Sequence, residues 1–199
     1  VSYDVGGFAL LYNNRIGFIQ KSLGDGRVVS ERGNVGDAVM YGVESLLDFN
    51  LKKLLKMDND YSFNYFINTS FIQSEYTKSQ QNNVEGNAVE FVPDINLKTG
   101  LRMGYKNFLA NVQYTYLGRQ FTDATNSKES NISGVIGEIP DYDILDVSFS
   151  YNYSRFKVEA GVNNLLNKEY FTRRATGYPG PGIIPSAPRN FYTTLQIKF

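Results

Sequence analysis

Two stretches near the carboxyl end of the chain alternate without exception between two kinds of side chain. From Phe156 onward, Phe156, Val158, Ala160 and Val162 point one way, and Lys157, Glu159, Gly161 and Asn163 point the other. The final stretch repeats the rule, with Phe191, Thr193, Leu195, Ile197 and Phe199 on one face and Tyr192, Thr194, Gln196 and Lys198 on the opposite one. A period of two is the signature of a β-strand. The last of these strands finishes on an apolar ring with no polar tail. A strand facing lipid carries such an end at no cost, whereas a soluble domain seldom does.

The same rule recurs upstream. A first strand runs from Tyr3 to about Ile19 with the poorest alternation: Phe8, Leu10 and Tyr12 share one face, yet Ala9 and Leu11 occupy the other, and Gly6-Gly7 marks an expected bulge or close backbone approach. Residues Lys21 to Gly36, with Gly24-Asp25-Gly26 and Arg32-Gly33-Asn34, predict a long polar loop. The second strand sets Tyr41, Val43, Ser45, Leu47, Phe49 and Leu51 against Gly42, Glu44, Leu46, Asp48 and Asn50. A short connection, Lys56 to Asp60, leads to a third strand in which Tyr61, Phe63, Tyr65, Ile67, Thr69 and Phe71 oppose Ser62, Asn64, Phe66, Asn68 and Ser70.

After a polar loop from Thr77 to about Val92 comes a fourth strand, with Ile95, Leu97, Thr99, Leu101, Met103 and Tyr105 against Asn96, Lys98, Gly100, Arg102 and Gly104. Lys106-Asn107 is a tight turn into the fifth, which sets Phe108, Ala110, Val112, Tyr114 and Tyr116 against Leu109, Asn111, Gln113 and Thr115. The longest loop, about Arg119 to Asp141, precedes a sixth strand carrying Val147, Phe149 and Tyr151, and Asn152 to Arg155 turns into the seventh. Strands four, six and eight follow Pro93, Pro140 and Pro188, positions where no ladder donor is lost. Long and short connections therefore alternate along eight antiparallel strands in up-and-down order, with the short turns at one end.

Charge is confined to one face. In strands two to eight the apolar face carries no Lys, Arg, Asp or Glu, while the other carries Glu44, Asp48, Lys98, Arg102, Asp146, Lys157, Glu159 and Lys198. A water-soluble sandwich and a membrane barrel both permit that partition. Three features favour lipid: rings cluster at both strand ends, strands of about ten residues suit a tilted barrel wall, and the terminal strand ends on Phe199. The 15 Tyr and 14 Phe supply such girdles.

Composition removes several function classes. Twenty basic and twenty acidic residues give zero net charge, so no global field calls for a nucleic-acid partner. With neither Cys nor His, disulfides, zinc and haem ligation and His-dependent catalysis have no residues in this chain. No apolar run approaches the ~20 residues of a membrane helix. Val1-Ser2-Tyr3-Asp4 shows no initiator Met and no signal sequence, so the chain is expected to begin inside a larger protein. The loop carboxylates Asp123, Glu129, Glu138, Asp141 and Asp143 follow no calcium-loop spacing and are read as solvating.

The run Val162-Asn163-Asn164-Leu165-Leu166-Asn167-Lys168-Glu169-Tyr170, then a Gly/Pro-rich loop, then Ala187-Pro188-Arg189-Asn190-Phe191 and a strand closing on Phe199, resembles the carboxyl end of TonB-dependent outer-membrane receptors. Tyr170-Phe171-Thr172-Arg173-Arg174 with Gly177-Tyr178-Pro179-Gly180-Pro181-Gly182 resembles their ferric citrate receptor branch. The resemblance implies an all-β, antiparallel transmembrane barrel of about 22 strands, of which residues 1–199 supply the last part, with the plug domain outside this chain. It further implies uptake of ferric citrate or a ferric siderophore across the outer membrane, energised by the TonB complex through the absent amino-terminal part. The chelate would be a transported ligand, with no cofactor held covalently. Lipid, lipopolysaccharide and the barrel-assembly machinery are the other implied partners.

On this reading the long loops face outward and hold the ligand. Arg173 and Arg174 are the foremost candidates, since guanidinium pairs bidentately with carboxylates; Tyr178, Arg119 and Gln120 follow. Phe191, Leu195, Ile197 and Phe199 form the implied assembly signal. The arginines contacting lipopolysaccharide phosphates or merely solvating the rim is the bland alternative. A small eight-stranded barrel, a passive porin and an outer-membrane enzyme are the rival functions.

Overall fold

A computed structural model describes residues 1–22, 28–177 and 180–199, with the side chains of 19–22 and 28–30 left undescribed. In chain order the elements are β1 (Ser2–Ser22), β2 (Val28–Asn50), the helical turn α1 (Leu51–Leu54), β3 (Tyr61–Lys78), β4 (Ile95–Tyr105), β5 (Phe108–Leu117), β6 (Gln120–Phe121), β7 (Glu138–Ile139), β8 (Tyr142–Tyr153), β9 (Phe156–Asn163), β10 (Phe171–Ala175), β11 (Gly182–Pro185) and β12 (Asn190–Ile197). Eight of them form one antiparallel sheet in the order β1-β2-β3-β4-β5-β8-β9-β12. This is the up-and-down arrangement expected from the alternation of turns and loops. The pairs β6-β7 and β10-β11 are small separate sheets inside long loops.

The register brings each strand's apolar set onto one side. Phe49, Tyr65, Leu101, Val112, Val147, Val162 and Phe191 are successive cross-strand partners from β2 to β12, a single row free of charge. The row one position away runs through Asn50, Asn64, Arg102, Asn111, Ser148, Gly161 and Tyr192. Directly opposed side chains share a face, so a consistent register is what turns eight patterned strands into one apolar and one polar surface. The polar face is tied internally: Asn64 Nδ2 donates to Asp48 Oδ1 at 3.0 Å and Asn111 Nδ2 to Ser148 Oγ at 3.3 Å.

Three glycines on the polar face lie directly opposite an aromatic residue: Gly42 opposite Phe8, Gly100 opposite Phe66 and Gly161 opposite Tyr192. Each ring covers its glycine so closely that an added Cβ would sit 3.0, 2.9 or 2.6 Å from the ring. Arg102 also stacks on Phe66, its guanidinium 5.0 Å from the ring centre.

Four expectations from the sequence need correcting. The stretch Lys21 to Gly36 is mostly strand, because β1 and β2 run on as a tall hairpin with Phe18 opposite Arg32 and Gly17 opposite Gly33. Arg32-Gly33-Asn34 is therefore ladder and not a turn, while Gly24-Asp25-Gly26 lies outside the described residues. Gly6 and Gly7 pair in register with Glu44 and Val43; the irregularity falls between Tyr12 and Arg15, where Asn14 adopts φ 56° and its N–H donates to Asp37 Oδ1 at 2.9 Å. That slip changes which face the later residues use, and ahead of it apolar residues occupy both faces, so β1 lacked a single period. Pairing also settles its wall portion: Ala9 and Leu11 oppose Tyr41 and Val39 on the charge-free side, and Phe8 and Leu10 lie on the polar side. Finally, Leu51 begins α1 instead of ending β2. Lys53 N–H is capped by Asn50 Oδ1 at 3.0 Å, and this stops the strand.

Candidate functional site: the long-loop rim

Three connections gather at the end opposite the short turns: residues 79–94, 118–141 and 164–189. Few of their residues are apolar, so backbone groups there are satisfied mainly by neighbouring loops. Asn126, at φ 53°, acts as a surrogate strand partner: its Oδ1 accepts from Ala88 N–H and its Nδ2 donates to Ala88 C=O, both at 2.8 Å. Asn87 Nδ2 donates to Ala124 C=O at 2.9 Å, and Phe91 N–H to Phe121 C=O at 2.9 Å. Under these contacts Val84, Val89 and Ala124 pack on Val35, Ala38 and Tyr76 as a small buried core.

A charged trio lies beside that core. Arg15 Nη1 reaches Glu90 Oε1 at 2.7 Å and the Tyr76 hydroxyl at 2.6 Å, while that hydroxyl donates to Glu90 Oε2 at 2.6 Å. Glu90 is 2% exposed and Tyr76 fully buried. Burial first, and then donation to Glu90, pushes the Tyr76 phenol well above its ordinary value. Gly17 makes the space, since a Cβ there would lie 2.1 Å from Glu90 Oε1. No motif signalled this trio: its members are 61 and 75 residues apart from Arg15.

The structure separates the two foremost arginines. Both lie in β10, which pairs with β11 as Arg173 to Ile184 and Arg174 to Ile183. Arg174 is 9% exposed; its Nε and Nη2 donate to Glu138 C=O at 3.2 and 2.8 Å, and its Nη1 to Gly134 C=O at 2.9 Å. Its guanidinium also stacks on Phe171 at 5.1 Å. Burial lowers its pKa, and the three hydrogen bonds to two carbonyls offset that cost. Arg174 thus clamps the last loop to residues 134–138, and the two arginines expected as a pair lie in different surroundings. Arg173 is exposed, with no hydrogen bond or ion pair among the described residues.

The other candidates are dispersed. Tyr178 lies outside the described residues. Arg119 is exposed and lines a pocket of about 350 Å³ with Tyr41, Gln73, Glu75, Asp94 and Phe121, none of them from the loop of Arg173. Gln120 is half-buried in β6 opposite Ile139. Of the loop carboxylates, Asp123 holds its own loop, its Oδ2 accepting from Thr125 N–H at 3.1 Å and Ser127 Oγ at 3.3 Å. Asp141 accepts from the Tyr116 hydroxyl at 3.3 Å, and Asp143 pairs with Lys168 at 3.0 Å.

The closing motif has a structural basis. Asn164, 2% exposed at φ 53°, accepts from Lys168 N–H and donates to Lys168 C=O, both at 2.8 Å, and its own N–H donates to Asp146 Oδ1 at 2.8 Å. Asn167 Oδ1 accepts from Arg189 N–H at 3.0 Å, which fixes where the chain re-enters the sheet. Phe191, Leu195 and Ile197 then oppose Val162, Val158 and Phe156, and Phe199 lies two residues beyond the end of β12, fully exposed.

Known proteins match this architecture. The family described as TonB dependent receptor-like, beta-barrel, matches residues 1–165. Among solved structures, the ferric citrate transporter FecA in its unliganded form superposes with a TM-score of 0.79 at 22% identity, over 99% of this chain and 29% of FecA. The ferric yersiniabactin uptake receptor FyuA from Yersinia pestis gives 0.71 at 19%, over 99% and 27%. The copper transporter OprC gives 0.70 at 15%, over 99% and 28%. The chain thus spans less than a third of the length of these proteins, and none of the three is described as an enzyme. No curated protein sequence matches. With a family match over most of its length and the fold of these barrels throughout, the chain belongs to the TonB-dependent receptor-like β-barrel family.

Proposed function

We propose that the chain is the carboxyl-terminal part of the wall of an outer-membrane receptor that takes up a ferric chelate with energy supplied through TonB. The observation that carries this reading is the family match over residues 1–165. The sheet supports it, because its charge-free face suits lipid and its polar face a hydrated lumen. Residues 1–199 form one portion of the barrel, with the plug supplied elsewhere in the full protein. The apolar face meets lipid and lipopolysaccharide, the long loops face the exterior, and the strand from Phe191 through Leu195 and Ile197 to Phe199 is read by the assembly machinery.

For the cargo, the resemblance of residues 170–182 to the ferric citrate branch favours a carboxylate-rich chelate, and Arg173 is the residue free to meet it. Arg119, Gln120 and Tyr178 are secondary contacts. Arg174 acts on the ligand only through the loop it holds. A copper cargo is the rival, because OprC has the same fold.

The test is growth of a deletion strain on ferric citrate as the sole iron source, with and without TonB. Growth equal to the parent on every ferric chelate offered would overturn the reading. Within it, Arg173→Ala in the full-length receptor is expected to weaken ferric citrate binding about tenfold at low salt, from the loss of one exposed charge-assisted hydrogen bond. An unchanged Kd removes Arg173 from the site.

A further inference from the structure

The connection between β2 and β3 differs from the other turns at its end of the sheet. Those are minimal, Lys106-Asn107 and Ser154-Arg155. This one carries Leu51-Lys52-Lys53-Leu54-Leu55-Lys56-Met57 before Asp58-Asn59-Asp60. Its helical turn closes with Lys56 at φ 51°, Lys56 N–H donating to Lys53 C=O at 3.4 Å and Met57 N–H to Lys52 C=O at 3.1 Å. This paired C-terminal closure fixes the path of the chain at Met57.

Met57 is folded onto the charge-free face. There it joins Tyr61, Phe63, Met103, Tyr105 and Phe108 in lining a shallow apolar pocket of about 370 Å³. The turn therefore leans over the outside of the wall and not across the lumen. The pocket sits within an aromatic band: the tilted rings of Tyr61 and Tyr105 lie 4.7 Å apart, Phe108 and Phe149 stack at 6.1 Å, and Lys106 Nζ lies 5.2 Å from the Tyr105 ring centre. Next to it Leu54 is 75% and Leu55 58% exposed, large apolar side chains with nothing in the described chain to cover them.

The charges around these leucines sort into engaged and free. Lys52 Nζ donates to Asn59 Oδ1 at 3.2 Å, and Lys106 faces Asp60 at 3.7 Å. Lys53 and Lys56, which flank the leucines, are exposed and make no ion pair among the described residues; Asp58 is the one acid of the turn without a cation partner there. Two free ammonium groups, two bare leucines and an apolar pocket inside an aromatic band match a molecule with an anionic head and long apolar tails.

We propose that this turn and the pocket beneath Met57 are a docking site for an anionic phospholipid of the periplasmic leaflet. Acyl chain lies in the pocket and against Leu54 and Leu55, and Lys53 and Lys56 hold the phosphate. The inference rests on the membrane-embedded reading given above.

The test uses the full-length receptor in detergent, titrated with phosphatidylglycerol or with phosphatidylethanolamine, and counts retained lipids by native mass spectrometry. Phosphatidylglycerol is expected to bind in preference and not to be displaced by inorganic phosphate. Lys53→Gln with Lys56→Gln is expected to lower its affinity about tenfold, with a smaller loss for phosphatidylethanolamine, whose phosphate is already balanced by its own ammonium. Met57→Ser is expected to weaken both lipids. Equal retention of the two lipids by the unmodified receptor, or an unchanged phosphatidylglycerol affinity in the lysine variant, overturns the proposal. A receptor that keeps the lipid preference but fails to support growth on any ferric chelate would sink the transport reading alone. Failure of the receptor to fold into a bilayer would remove both.

Discussion

The middle of the wall and the long-loop rim adjoin along the same eight strands, yet they are held together in different ways. In the wall every residue of the row from Phe49 to Phe191 plays the same part as its neighbours, and backbone ladders join the strands. At the rim a few polar side chains each make contacts that nothing else duplicates: Glu90 with Arg15 and Tyr76, Asn126 with Ala88, Arg174 with Glu138 and Gly134. Cohesion in the wall is distributed, whereas at the rim it is concentrated in single residues. A substitution in the wall should matter through what it exposes to lipid, and one at the rim through what it leaves unpaired.

The sharpest break is expected from Glu90→Ala. Removing one partner of a buried ion pair costs about 3–5 kcal/mol, and here it strands Arg15 and the Tyr76 hydroxyl together. Hydrogen exchange should show residues 79–94 losing protection while β4 and β5 keep theirs; equal loss in both regions would erase the distinction. The trio also gives the rim a pH signature. Because the Tyr76 phenol is raised in the folded state, its contribution is complete below the ordinary tyrosine value of about 10 and declines as pH rises beyond it. Rim protection should therefore be flat through neutral pH and fall in alkali, and Tyr76→Phe should remove most of that fall.

In the wall, Val112→Arg or Leu97→Arg is expected to destabilise by about 2–4 kcal/mol in a lipid refolding titration, and Lys98→Ala on the other face by less than about 0.5 kcal/mol. Similar values for the two faces would contradict the assignment of lipid and lumen. Somewhat below the two wall arginine substitutions comes Arg174→Met, which frees the Glu138 and Gly134 carbonyls at a cost of about 1.5–3 kcal/mol, confined to residues 134–138 and β10. A loss of ferric citrate binding in this variant with unchanged loop protection would instead make Arg174 a direct ligand contact.

The sequence made the wall legible because a half-buried strand leaves a period of two, and β4 and β5 appear at the limits that period gave. Their prolines and two-residue turns are local signals as well. The upper β1-β2 hairpin was not legible, since the irregularity at Asn14 changes face midway and replaces one pattern by two fragments. Nor could Asn126, Glu90 or Arg174 be picked out, because each is one polar residue in a polar loop whose partner lies far along the chain. Arg173 and Arg174 look equivalent as neighbours in sequence. Only the opposite directions of successive strand residues separate them, and those depend on a two-strand sheet within a loop rich in Gly and Pro.

The glycine and ring pairs on the polar face carry a consequence for how the wall is aligned as it forms. If two strands slid past each other by two residues, the charge-free face would hardly register the error: Tyr65 would exchange Leu101 for Thr99 or Met103 and still meet a side chain without charge. The polar face would register it at once. Phe66 would lie over Lys98 or Arg102 instead of Gly100, Phe8 over Met40 or Glu44 instead of Gly42, and Tyr192 over Glu159 or Asn163 instead of Gly161. Each ring then has no recess to enter. Three of the seven strand seams thus carry an alignment key on the polar face, and the misaligned pairings that the charge-free face would accept are rejected from the other side.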